Sequence, residues 1–171
     1  MELRNLLEPD LKTAEQRYPE VLEAILAYTN FCDEHGDEEL IEYNKLEDKL
    51  RLLTRKDMSR FNLSEWWEEE GAEPLAFKVS LPDPVFTGDI TRDELTEIVS
   101  HLKTFTDPAQ GDESFIGQFA NYLDGYYHSL LSLNFKGYEL KLFQRNKDKS
   151  GKYFEYAANE IVEKIWSKSL R

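Results

Sequence analysis

The sequence predicts an α+β fold, with about five helices around a small, mainly antiparallel sheet that includes a C-terminal β-hairpin. Three observations lead to it. Residues 115–166 read as a long aromatic helix, a hairpin and a closing amphipathic helix. Leu75-Ala76-Phe77-Lys78-Val79-Ser80-Leu81 alternates along its length, which is the two-residue period of a strand with one buried face. The first 55 residues carry two apolar stripes at three–four spacing, as a helical hairpin does.

Taken in order, residues 1–17 suit a short helix or arm limited by Pro9. Pro19 fits the first turn of the next helix, where its missing N–H costs nothing. Leu22, Ile25, Leu26, Thr29 and Cys32 give that helix one stripe, with Val21 beside it, to about Glu34, and Gly36 fits its stop. Asp37 is placed to cap a second helix, with Glu38 and Glu39 in its first turn and Tyr43, Leu46, Leu50 and Leu53 on its inner face. Residues 54–63 read as a charged loop, and Ser64 as the cap of a short turn carrying Trp66 and Trp67. The strand at 75–81 ends at Pro82 and Pro84. Thr91 and Glu94 form a capping box for a helix with Leu95, Ile98, Val99 and Leu102 on one face. Asp107 to Gly111 breaks the chain. A single helix follows, with Ile116, Phe119, Ala120, Leu123, Tyr127, Leu130 and Leu131 at helical spacing. Residues 138–157 supply the hairpin, which pairs with strand 75–81. Ala158, Ile161, Val162 and Ile165 face inward on the last helix. One domain over 1–171 is expected, with 1–55 as its helical hairpin and 56–171 as its sheet-containing part, because an isolated helical pair buries too little surface.

Charge is the most informative bulk property. The 171 residues carry a formal charge of -13. Residues 1–100 hold 25 acids against 11 bases, whereas residues 101–171 hold 9 against 10. Such a field repels nucleic acid and anionic membranes and attracts basic proteins. No apolar run is long enough for a signal peptide or a membrane span, so a cytoplasmic protein is expected. Cys32 is the only cysteine, which rules out an intramolecular disulfide.

Chemistry-bearing motifs are lacking. The Asp33-to-Glu39 segment offers oxygen donors, but Glu38 stands where a calcium loop needs glycine. His35, His101 and His128 have no converging ligand set, and Glu97–His101 and Asp124–His128 are spaced as ordinary helical pairs. There is no nucleophile elbow, phosphate loop or dinucleotide fingerprint. No catalytic, metal or cofactor site is predicted. Two segments stand out for binding. One is the acidic run Asp33, Glu34, Asp37, Glu38, Glu39 and Glu42; the other is Trp66-Trp67-Glu68-Glu69-Glu70. Adjacent residues point in different directions, so either one tryptophan is partly exposed as an interface anchor with charges at its rim, or both plug the core under a loop.

In its acidic run, its WWEEE segment and its capped TRDELTEIV helix, the chain resembles small acidic bacterial immunity proteins. The resemblance implies a monomer that binds and neutralises a cognate basic toxin, such as a nuclease, in a 1:1 complex. Two other classes stay open: a dimeric chaperone for a secreted effector, and an enzyme on an unfamiliar scaffold.

Overall fold

A computed structural model describes residues 3–104 and 112–169. The predicted break at Asp107 to Gly111 lies outside the described residues. The chain is helix-dominated rather than α+β. Its described residues form seven α-helices and one two-stranded sheet. They divide into two compact units that interleave along the chain. One comprises Asp10–Asp83 with Glu113–Tyr122; the other comprises Met1–Pro9, Pro84–Asp112 and Leu123–Arg171. The first holds 20 acids against 9 bases and is called the acidic unit. The second holds 14 against 12 and is called the near-neutral unit.

In the acidic unit, α1 runs unbroken from Leu11 to His35. Asp10 caps it by accepting from Thr13 N–H, so Pro19 lies in its interior and not in its first turn. Gly36 ends it as predicted, with φ at 71° and its N–H on Cys32 O. The buried stripe is Val21, Ala24, Ile25 and Tyr28, rotated from the predicted one. Leu22 and Cys32 are half-buried, and Leu26 is exposed. Helix α2 spans Ile41–Thr54, three residues later than predicted, and buries Leu46, Leu50 and Thr54.

The strand at 75–81 does not exist. Ala72–Ser80 is a helix, α3. Ala72, Leu75, Ala76, Val79 and Ser80 form a three–four stripe, and Phe77 is buried on another side. A helix enclosed on most sides shows apolar residues at both parities, and that imitated a strand's alternation. Pro74 sits in the first turn, where a helix tolerates it. Lys56, in the stretch read as a loop, is buried against the other end of α3. Its Nζ donates to Lys78 O at 2.7 Å and Leu81 O at 2.8 Å, and pairs with Asp83. A cation there satisfies carbonyls that a helix end leaves open.

The long aromatic helix is also broken. Helix α5 covers Phe115–Phe119, a 3₁₀ turn covers Ala120–Tyr122, and α6 covers Asp124–Asn134. The break coincides with the passage from one unit to the other. Phe115 and Phe119 pack on Tyr18 and Phe77 of the acidic unit, with the Phe77 and Phe119 rings stacked at 4.6 Å. Leu123, Tyr127, Leu130 and Leu131 are buried within the near-neutral unit. One apolar stripe was therefore shared between two cores.

In the near-neutral unit, α4 spans Arg92–Lys103 behind the predicted capping box. Thr91 N–H donates to Glu94 at 2.8 Å and Glu94 N–H to Thr91 Oγ1 at 3.2 Å. Helix α7 spans Ala158–Ser169 and buries Ile161, Val162 and Ile165. Arg4 grips Glu94 and Asp89 from the N-terminal segment, which also buries Leu7. Gly137 lets the chain pass close to α7: a Cβ there would lie 2.4 Å from Ile165 O. The predicted hairpin shrinks to β1, Asn146–Lys147, and β2, Tyr153–Phe154. Leu140–Phe143 is a 3₁₀ turn. With no third strand to extend it, a longer hairpin has no sheet to join.

Candidate functional site

The sequence-predicted binding residues all fall in the acidic unit, but they do different jobs. Asp37 is a structural group. Its carboxylate accepts from Tyr43 N–H at 2.8 Å, Glu42 N–H at 3.1 Å and the Tyr28 hydroxyl at 3.4 Å. It thus caps α2 from outside the helix. Desolvation pushes this carboxyl up, but the N–H groups of Tyr43, Glu42 and Ile41 and the Tyr28 hydroxyl outweigh it and hold it below its ordinary range. The Tyr28 hydroxyl is raised, first by burial and then by its contacts with Cys32 and Asp37. Glu42 is half-buried and paired with Lys45 at 2.6 Å, and Glu70 is paired with Lys78.

The remaining acids face solvent. Asp33 and Glu34 close α1, Glu38 and Glu39 occupy the turn before α2, and Glu68 and Glu69 follow the tryptophans. Among the described residues, Asp33, Glu38, Glu39, Glu68 and Glu69 make no ion pair. Their charge is therefore uncompensated by the protein itself.

The two tryptophans divide between core and solvent. Trp66 is half-buried against the core, with its indole N–H on Thr29 Oγ1 at 2.9 Å. Trp67 stands edge-on to it at 5.6 Å and is 56% exposed. Leu40, the residue just before α2, and Ile41, its first residue, are two more apolar side chains, exposed by 52% and 53%. Sequence reasoning missed this pair. The available signal was two adjacent apolar residues inside an acidic run. Leu40 also has φ at 54°, a left-handed conformation that a branched side chain rarely adopts.

Helix α1 places these pieces together. The Trp66 loop abuts it at Thr29, while α2 abuts it across a groove of about 330 Å³ that includes Ala27, Phe31, Glu42 and Leu46. At about 100° per residue, Thr29 and Phe31 stand about 200° apart around the helix. The arc between them carries Leu26, Asn30, Asp33 and Glu34, all exposed. The exposed arc of α1 thus lies between the Trp66–Trp67 loop and α2, and both flanking segments carry exposed apolar side chains and unpaired carboxylates.

The chain matches no family model, no curated protein and no solved structure.

Among the described residues, no three His, Cys, Asp or Glu side chains are placed to hold a metal ion. Nor is any described helix long and apolar enough to cross a membrane. His128 is partly buried, with its Nδ1 3.1 Å from the Tyr138 hydroxyl and its ring edge-on to Phe143. Burial lowers its proton affinity, and Asp124 opposes this.

Proposed function

We propose that this protein is an acidic protein-binding module, an immunity protein that neutralises a basic toxin by covering it with the α1, 36–42 and Trp67 surface. One observation carries the reading: Leu40, Ile41 and Trp67 are exposed, and the segments that hold them also carry Glu38, Glu39, Glu68 and Glu69, which form no ion pair among the described residues. Aromatic and apolar anchors inside a charged rim are the usual anatomy of a protein interface. The acids would act on encounter and the anchors on residence. A nuclease is the favoured kind of toxin, because a site that holds phosphates also attracts carboxylates.

The test is capture from the source cell at low salt, elution by salt, and kinetics with the recovered protein. Reversing Glu38, Glu39, Glu68 and Glu69 to lysine should slow association about tenfold or more and flatten its salt dependence. An unchanged on-rate and salt slope would overturn the reading.

A chaperone for a secreted effector is the second reading. A shallow apolar depression along α1, lined by Tyr18, Pro19, Leu22 and Leu26, would favour it as a client groove. Molar mass in solution separates the two. The inhibitor should run as one chain of 20.1 kDa and the chaperone at about twice that.

A further inference from the structure

The most concentrated positive charge in the chain lies on its hairpin. Residues 136–153 contain six bases against two acids, within a protein of net -13. Both acids are already engaged. Glu139 pairs with Lys141 and Lys168, and Asp148 accepts from the N–H groups of Ser150 and Lys152 in the turn. Of the bases other than Lys141, Lys136 precedes the hairpin, and four lie on its strands and turn: Arg145, Lys147, Lys149 and Lys152. All are exposed, and none forms an ion pair among the described residues.

Two of these cations lie against an aromatic ring. Lys147 lies directly opposite Tyr153 in the ladder, and Arg145, two residues earlier, shares its face. The Arg145 guanidinium sits 4.6 Å from the Tyr153 ring centre and the Lys147 ammonium 5.4 Å from it. The ring is nonetheless 55% exposed. Asp148 and Gly151, with φ at 87°, lock the turn that holds the two strands in register.

We propose that this face of the hairpin binds single-stranded nucleic acid. Unpaired cations flanking an exposed ring supply the two things such a strand offers to meet, phosphates and flat bases. An acidic peptide would answer the cations but leave the ring unused. The chain's overall negative charge does not forbid contact, because fields are screened over about 8 Å at physiological salt and the local charge then governs. The acidic surface described above plays no part in this site.

The experiment uses the full chain and a fluorescent single-stranded oligonucleotide of about ten nucleotides, read by anisotropy. With four phosphate contacts at about 0.7 logarithmic units each, raising salt fourfold should weaken binding about fiftyfold. Tyr153→Ala should lower affinity about tenfold at both salt concentrations and leave the salt slope intact. The double change Arg145→Glu and Lys147→Glu should remove binding, and thermal melting of both variants confirms that they fold. Absence of binding at low salt overturns the proposal. So does equal competition by polyglutamate together with an inert Tyr153→Ala, which would mark the face as a site for acidic peptides.

Discussion

The indole N–H of Trp66 donates to Thr29 Oγ1 at 2.9 Å, and this one bond fixes which of the two tryptophans is free to meet a partner. Thr29→Val keeps the shape and removes the acceptor. It should cost about 1 kcal/mol of stability by chemical denaturation, because a half-buried donor loses its partner. Trp67→Ala should leave the melting temperature unchanged and speed release of a bound partner. Destabilisation by Trp67→Ala comparable to that of Trp66→Ala would show that both rings serve the core.

The acids of the α1–α2 turn should separate by role. Asp37→Ala removes the acceptor for Tyr43 and Glu42 N–H groups and should lower the melting temperature through loss of helix capping. Glu38→Ala and Glu39→Ala should not move it, since both side chains are exposed. For partner association the order should invert, with Glu38 and Glu39 the more sensitive positions.

Helix α3 can be distinguished from a strand by substitution. On a strand Ala76 would face outward with Lys78; in α3 it is fully buried. Ala76→Asp should therefore unfold the acidic unit, because an unpaired charge in a core costs several kcal/mol. Ser80 is buried too, and its hydroxyl has no hydrogen-bond partner among the described residues. Ser80→Ala should raise stability by about 1 kcal/mol. A tolerated Ala76→Asp would argue against the helix.

Glu94 should make the near-neutral unit acid-sensitive. Burial raises its carboxyl, yet the Arg4 guanidinium and the N–H and hydroxyl of Thr91 outweigh this and hold it below its ordinary value of 4.5. A carboxyl lowered by folding contributes stability that is fully present above the unfolded value and lost as pH falls through the folded one. Glu94→Gln should cost about 2 kcal/mol at neutral pH. The gap between variant and wild type should close on acidification below about pH 4.5, measured as melting temperature against pH. A gap that stays constant down to strong acid would show that ionised Glu94 adds nothing.

Local signals in the sequence determined the ends of several elements and the division of charge. Thr91 and Glu94 meet within three residues, and Gly36 needs only its own backbone freedom; Asp37 does accept from the first turn of α2, but from five and six residues away, so α2 starts later than its position suggested. Such interactions depend on near neighbours, so they are readable without a fold. The charge of the acidic segments was readable in the same way, and so was the expectation that one of two adjacent tryptophans meets solvent, though not which one. Tertiary structure alone decided the rest. Leu75–Leu81 alternates like a strand, but burial on several sides makes it a helix, and no local pattern tells those environments apart. The stripe from Ile116 to Leu131 is continuous in sequence, yet Phe119 is drawn to Tyr18 and Phe77 while Leu123 and Leu130 belong to another core. Leu40 and Ile41 have ordinary core chemistry, and only the late start of α2 leaves them in solvent. Which apolar residue is covered depends on what packs over it, and that is a property of distant chain rather than of the residue.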